Sequence, residues 1–314
     1  MTIRRVLTAV AVAIFTTAPF ALTAAPASAK SKHPQHAKAK RAGREGEEGN
    51  EVPAVRPGSD YLALGDSVTF GYEESAVVPP PNYNDASSLI GYPAMLGSEL
   101  HLNVANAACP GETTGSLIDA TAISNGCENT LGRPTGYRTL FPLHVSYTGS
   151  QLAFAVSYLR SHPRTRLVSL MIGANDTFIC QETTADHCTS ASELQAVFNS
   201  IGKNVSTILS TIRDNADYRG QIVILNYYSL NYASATDNAG SEALNNAIDT
   251  AAKPFGVEIA DGFGELQAAA VHSGGNTCTA GLLTQLSTGG CGIHPSFAGQ
   301  ALLAQAVEEA IAFK

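Results

Sequence analysis

Short apolar segments alternate with longer helical patterns along the chain from residue 58 to residue 314. This alternation predicts a parallel β-sheet covered by helices on both faces, because each connection between parallel strands then runs through a helix. The apolar segments with the length of buried strands are 60–64, 103–107, 167–172, 222–226 and 257–260. The segments with helical patterns are 92–100, 151–161, 191–214, 241–252 and 296–312. The expected fold is one doubly wound α/β domain with a five-stranded parallel sheet.

The first predicted strand runs directly into Gly65-Asp66-Ser67. In open parallel sheets, ligands bind at the carboxyl ends of the strands, which is where this tripeptide lies. A serine at such a strand-to-helix turn exposes its hydroxyl for nucleophilic attack and its backbone N–H for binding an anion. The tripeptide alone is more typical of a turn with a capping serine, and the further segments change that balance.

Three further polar segments follow predicted strands or precede the last helix. Gly111 follows the second strand, and its lack of a side chain allows the backbone N–H to approach a ligand. The third strand ends in Gly173-Ala174-Asn175-Asp176, which brings the Asn175 amide to the same edge. His294 precedes Pro295 on a predicted loop and is therefore a candidate general base for Ser67.

Together, these four segments resemble in order and spacing the sequence blocks of the SGNH hydrolase superfamily, also called the GDSL esterase/lipase family. The resemblance covers residues 58–314, and the chain is similar to secreted actinobacterial lipases and esterases with three disulfides. It implies a three-layer α/β/α sandwich similar to flavodoxin, no cofactor or metal, and hydrolysis of carboxylic esters through an acyl-enzyme. It also implies Ser67 as nucleophile, His294 as base, and an oxyanion hole formed by Ser67, Gly111 and Asn175.

The chain departs from the family pattern at one position. Members with a full triad carry an aspartate three residues before the histidine, where this chain has Cys291. Some secreted members orient the imidazole with a main-chain carbonyl, and the carbonyl of Cys291 or Gly292 is close enough in sequence for that role. We therefore expect a Ser–His dyad, with Asp261 and Glu265 as the carboxylates to test against it. Asp66 and Asp176 are expected to support turns by hydrogen bonds.

The six cysteines predict disulfides. An even number of cysteines in a secreted chain is typical of a disulfide framework, and six cysteines allow 15 connectivities. The grouping in three couples that are local in sequence favours Cys109–Cys127, Cys180–Cys188 and Cys278–Cys291. A zinc site is the alternative, but no Cys-x-x-Cys or His-x-x-x-His spacing supports it.

Residues 1–29 have the organisation of a signal peptide. Arg4 and Arg5 precede an apolar run over 6–22, and Ala27-Ser28-Ala29 is a cleavage sequence of small residues. A membrane anchor is the alternative, which the cleavage sequence disfavours. Residues 30–57 contain almost no large apolar side chain, which predicts a disordered charged linker before a hydrolase domain at 58–314. A solvated spacer is favoured for this linker over a tether to an anionic polymer.

Charge limits the classes of ligand. From Gly58 onward the chain has 10 basic and 23 acidic residues, a net charge of −13, which repels nucleic-acid phosphates.

The expected protein is a secreted monomer without a membrane segment after signal cleavage, acting on a small-molecule or lipid ester. A carbohydrate O-acetyl esterase and a non-catalytic protein that binds the cell surface are the alternatives. The loops over 111–149 and 177–190 are expected to shape the acyl site.

Overall fold

The computed structural model describes residues 52–312. The predicted signal peptide (1–29) and most of the predicted linker (30–57) lie outside these residues. The end of the predicted linker belongs with the folded domain, because Val55 is only 2% exposed and Gln221 Nε2 donates to the carbonyl of Pro53 at 3.3 Å. A single large apolar side chain thus anchors a segment whose composition otherwise indicates disorder.

Five strands form the parallel sheet that the sequence predicts, in the order β2-β1-β3-β4-β5. They are β1 (Asp60–Gly65), β2 (Asn103–Asn106), β3 (Thr165–Met171), β4 (Gln221–Leu225) and β5 (Glu258–Ala260). Strand order reverses beside β1, because the chain first adds β2 on one side of it and then β3 on the other. This reversal opens a crevice at the carboxyl ends of β1 and β3, where doubly wound sheets bind ligands.

Ten helices surround the sheet within the described residues. They are α1 (Ser67–Phe70), α2 (Tyr92–Glu99), α3 (Thr114–Ile118), α4 (Tyr137–Leu140), α5 (Gln151–Ser161), α6 (Ala174–Thr183), α7 (Ala191–Ser210), α8 (Ala235–Ala252), α9 (Gly262–Ala270) and α10 (Phe297–Ala310). Helices α2, α9 and α10 form one group, and α3 and α5 to α8 form the other. No helix between residues 52 and 312 has both the length and the apolar character needed to cross a bilayer.

The sequence prediction missed several elements. A two-stranded antiparallel hairpin, β6 (Leu283–Gln285) and β7 (Cys291–Pro295), precedes α10 where a loop is predicted. Helix α6 occupies half of the predicted loop 177–190, and α9 was not predicted. Each helix begins at polar residues that directly follow a strand: Asn175 and Asp176 lie in the first turn of α6, and Asp261 caps α9. Helix α8 begins at Ala235 rather than at residue 241, because Ser234 caps it by accepting a hydrogen bond from Asp237 N.

Each disulfide predicted from the grouping of the cysteines is present. Cys109–Cys127, Cys180–Cys188 and Cys278–Cys291 form bonds, and none of these six cysteines is free. Each bond closes a local loop, with separations of 18, 8 and 13 residues. The third bond ties the start of β7 to the segment before β6.

Candidate active site

Ser67 is the first residue of α1 and follows β1 after a one-residue turn. Asp66 caps this short helix, because its Oδ1 accepts a hydrogen bond from Val68 N at 3.0 Å. The Ser67 N–H has no acceptor among residues 52–312. The turn therefore presents both the hydroxyl and a free N–H at the carboxyl edge of the sheet.

His294 meets Ser67 at this edge. Its Nε2 lies 2.9 Å from Ser67 Oγ, although the two residues are 227 positions apart. The histidine lies in strand β7 and not on a loop as predicted, and it is only 8% exposed. Tyr228 holds this strand from the sheet side, because its hydroxyl donates to the Ile293 carbonyl at 2.6 Å. The imidazole therefore has a fixed position against the serine.

A carboxylate, and not a main-chain carbonyl, contacts the other imidazole nitrogen. Glu74 Oε1 lies 2.8 Å from His294 Nδ1, so the prediction of a carbonyl from Cys291 or Gly292 is wrong. The same oxygen accepts hydrogen bonds from Ile293 N at 2.6 Å and His294 N at 3.2 Å. A side chain at Gly292 would place its Cβ 2.2 Å from this carboxylate, so Gly292 makes room for Glu74.

The surroundings of Glu74 keep it ionised. Burial alone raises the pKa of a carboxyl group, but the hydrogen bond and charge of His294 oppose this effect. Thr284 Oγ1 also donates to Glu74 Oε2 at 2.6 Å, and the net result is a pKa of about 2. By contrast, Asp261 caps α9 through Gly264 N at 2.8 Å, and neither it nor Glu265 bonds to His294.

Gly111 and Asn175 are held near each other by Asn125, which forms hydrogen bonds with both residues. Asn125 N donates to the Gly111 carbonyl at 2.8 Å, and Asn125 Nδ2 donates to Asn175 Oδ1 at 3.0 Å. Gly111 has a φ of +83°, and a Cβ there would lie 2.4 Å from the Asn125 carbonyl oxygen. Glycine is therefore required at this position.

Asn175 Nδ2 donates one hydrogen to the carbonyl of Glu112 at 3.0 Å, which leaves the second hydrogen for another acceptor. Among the described residues, the Gly111 N–H also has no acceptor.

Asp66 and Asp176 accept structural hydrogen bonds, but only Asp66 supports its own turn as expected, whereas Asp176 bonds to the start of α3. Asp66 Oδ2 accepts from the Tyr227 hydroxyl at 2.5 Å, and Asp176 accepts from Thr114 N at 2.9 Å and Thr114 Oγ1 at 2.5 Å. Burial raises the pKa of each carboxyl group to about 6, although these hydrogen bonds lower it. Both groups therefore titrate in the weakly acidic range.

This titration predicts that stability depends on pH. A folded-state pKa of about 6, against the ordinary 3.8, means that the folded chain binds more protons than the unfolded chain between about pH 4 and pH 6. The contribution of Asp176 is therefore fully present below pH 4 and is lost as the pH rises through 6, a change of about 3 kcal/mol. In Asp176→Asn we expect the free energy of unfolding, measured with urea from pH 4 to 7, to decrease by about 3 kcal/mol less than in the wild type, because only Asp66 still titrates in this range. Parallel curves for the variant and the wild type would contradict the assignment.

An aromatic cluster adjoins the histidine. The Tyr72 ring packs edge-on against the His294 imidazole at 5.0 Å and stacks on Tyr83 at 5.4 Å. Tyr137 lies 6.0 Å from both tyrosines and 5.2 Å from Phe141. The last two residues come from the predicted loop 111–149, so this segment reaches the neighbourhood of the site.

A groove and two groups of possible metal ligands are also present among the described residues. A groove of about 560 Å³, lined by Arg56, Arg164 and Arg166 among others, lies at the amino ends of β1 and β3. Glu112 lies close to Cys109 and Cys127, and Glu193 to Cys180 and Cys188, in arrangements compact enough for metal ligands. These cysteines are bonded in pairs, so they offer no thiolate to a metal.

Comparison with known proteins gives a family and a fold. The sequence model of the GDSL-like lipase/acylhydrolase family matches residues 63–302, in agreement with the resemblance drawn from the four segments. No curated protein sequence gives a significant match. Phospholipase A1 from Streptomyces albidoflavus NA297 is similar in structure, with a TM-score of 0.50 and 19% sequence identity. The alignment covers 81% of this chain and 99% of the phospholipase chain. A catalytic mutant of Axe2, an acetylxylan esterase from Geobacillus stearothermophilus, has 16% identity, coverages of 83% and 98%, and a TM-score of 0.51. These similarities confirm the predicted three-layer α/β/α fold.

Proposed function

The chain belongs to the GDSL-like lipase/acylhydrolase family and is a carboxylic ester hydrolase, and from this premise we propose that Ser67, His294 and Glu74 form its catalytic triad. The observation that carries the proposal is the continuous row of hydrogen bonds from Ser67 Oγ to His294 Nε2 and from His294 Nδ1 to Glu74 Oε1. A carboxylate on Nδ1 selects the tautomer whose Nε2 is free to accept the serine proton.

In the proposed mechanism, His294 Nε2 takes the proton from Ser67 Oγ as that oxygen attacks the ester carbonyl carbon. The carbonyl oxygen becomes an oxyanion that accepts hydrogen bonds from Ser67 N, Gly111 N and Asn175 Nδ2. Each donor contributes about 3 kcal/mol to lowering the barrier. His294 then protonates the leaving alcohol, and the ionised Glu74 stabilises the transient imidazolium. Water, deprotonated by His294, attacks the acyl-enzyme carbonyl and releases the acid and Ser67.

The proposed substrates are lipid or simple acyl esters. The rings of Tyr72, Tyr83 and Phe141 beside the histidine offer an apolar surface to an acyl chain. The hydroxyls of the two tyrosines, 3.3 Å apart, are the observation that favours the second candidate, an O-acetylated carbohydrate. A series of p-nitrophenyl esters from acetyl to palmitoyl separates the two. Activity confined to acetyl would contradict the lipid substrate.

Secretion is part of the proposal. It is supported by the signal-like organisation of residues 1–29 and by three disulfides, which persist in oxidising compartments. Incubation of the secreted chain with a fluorophosphonate probe, followed by intact-mass measurement, tests secretion with signal cleavage and the serine nucleophile together. We expect a chain that begins at Lys30 and carries one adduct per molecule on Ser67. A well-folded chain that stays unlabelled would refute the serine-hydrolase assignment.

A further inference from the structure

The side-chain amide of Gln151, the first residue of α5, holds both backbone groups of Gly65. Gly65 N donates to Gln151 Oε1 at 2.7 Å, and Gln151 Nε2 donates to the Gly65 carbonyl at 3.0 Å. Gln151 is 0% exposed, and Gly65 ends β1 two residues before Ser67. The amide therefore restrains the peptide groups from which the Ser67 turn departs.

The same amide also bonds to the residue that follows Gly111 of the proposed oxyanion hole. Gln151 Nε2 donates a second hydrogen to Glu112 Oε2 at 3.0 Å, and Glu112 directly follows Gly111. The other carboxyl oxygen of Glu112 accepts from Ser116 Oγ. The main-chain carbonyl of Glu112 accepts from Asn175 Nδ2 at 3.0 Å. One pair of side chains is thus connected to all three donors of the proposed oxyanion hole.

Glu112 is suited to a bridging role because it has no exposed surface. Burial, together with the neighbouring Glu128, raises the pKa of Glu112 well above its usual range, so the neutral carboxyl form is favoured. Both N–H hydrogens of the Gln151 amide are donated as well, and its oxygen accepts one hydrogen bond. Buried polar groups that are hydrogen-bonded in this way rigidify their surroundings.

We propose that Gln151 and Glu112 form a positioning bridge that sets the spacing between the Ser67 turn, Gly111 and Asn175. The inference rests on the proposed function, because it concerns the convergence of those three donors on one oxyanion. Neither side chain touches the reacting atoms, so the bridge acts only through the groups that it holds. Its effect is large because oxyanion donors work only within a narrow range of distance, and a displacement of about 1 Å costs about 10²-fold in rate.

The decisive variant is Gln151→Met, which keeps the length of the side chain and removes its three hydrogen bonds. We expect kcat on a short p-nitrophenyl ester to fall about 10²-fold while KM changes less than about threefold. The affinity for a boronic acid, which mimics the oxyanion, should fall in parallel with kcat. Gln151→Glu keeps the acceptor for Gly65 N but places an oxygen in front of the Gly65 carbonyl, so its kcat should also fall. In Gln151→Met combined with Glu112→Gln, the losses should not add, because both changes interrupt one bridge.

Gln221 provides a matched control at the other end of the sheet. It is also a buried glutamine whose amide holds one residue by both backbone groups, with Ala312 N donating to Oε1 at 2.8 Å and Nε2 donating to the Ala312 carbonyl at 3.0 Å. It lies at the start of β4, far from the carboxyl edge of the sheet. Gln221→Met should lose stability to urea, as Gln151→Met does, but keep the wild-type kcat.

The rates are expressed per chain that reacts with the fluorophosphonate probe, so that unfolded molecules are not counted. Wild-type kcat in both Gln151→Met and Gln151→Glu would overturn the bridge and leave the proposed function standing. An equal fall of kcat in Gln221→Met would also overturn it, because the effect would then come from a general loss of packing. Esterase activity that persists in Ser67→Ala would refute the proposed function itself, and the bridge with it.

Discussion

Replacing Ser67 with alanine should lower esterase turnover at least about 10⁴-fold and leave the fold intact. The proposed acyl-enzyme forms on Ser67 Oγ, and the alanine variant has no other nucleophile at that position 2.9 Å from His294 Nε2. The substitution removes one hydrogen bond of a partly exposed side chain, so the free energy of unfolding should change by less than about 1.5 kcal/mol. Turnover of p-nitrophenyl butyrate and urea unfolding, measured on the same preparation, check both parts.

A matched control for this variant is Ser157→Ala. Ser157 lies exposed on α5, so its hydroxyl is expected to contribute nothing to catalysis. It should keep wild-type turnover. If Ser67→Ala retained activity within tenfold of the wild type, Ser67 would not be the nucleophile.

Replacing Glu74 with glutamine should lower kcat by about 10³- to 10⁴-fold, close to the loss in His294→Ala. Glutamine keeps the size of the side chain but removes the negative charge that stabilises the imidazolium. The pKa of Glu74, lowered to about 2, keeps the wild-type carboxylate charged at any pH at which esterases are assayed. Combining Glu74→Gln with His294→Ala should cost little more than His294→Ala alone, because the two residues act as a unit.

Asp261→Asn and Glu265→Gln are the controls, because both carboxylates follow β5 and neither bonds to His294. Both variants should retain turnover within about threefold of the wild type. Activity of a folded Glu74→Gln variant within tenfold of the wild type would remove Glu74 from the triad and restore the dyad. A loss of turnover in Asp261→Asn equal to that in His294→Ala would instead indicate that Asp261, which follows β5, is the acid of the triad.

The sequence by itself determined the features that depend on neighbouring residues. Apolar periodicity located all five strands of the sheet to within two residues at either end, because a buried parallel strand is a short continuous apolar run. The three disulfides follow from cysteines only 8 to 18 residues apart, which the local chain brings together. The placement of Ser67 after β1 and Asn175 after β3 follows from the strand ends, which share one edge in a parallel sheet.

The tertiary structure alone decided which groups meet across the chain. Glu74 lies 220 residues from His294 and reaches it because the hairpin β6–β7 folds over the loop after α1. The sequence carries only a weak signal for the contact between Glu74 and His294. Cys291 stands where the family has an aspartate, and Glu73-Glu74 provides the first carboxylates after Ser67. Likewise, nothing local marks Gln151 as a partner of Gly65, 86 residues earlier. Hydrogen bonds between remote side chains depend on how the helices and the hairpin pack on the sheet, and periodicity and spacing carry no information about that packing.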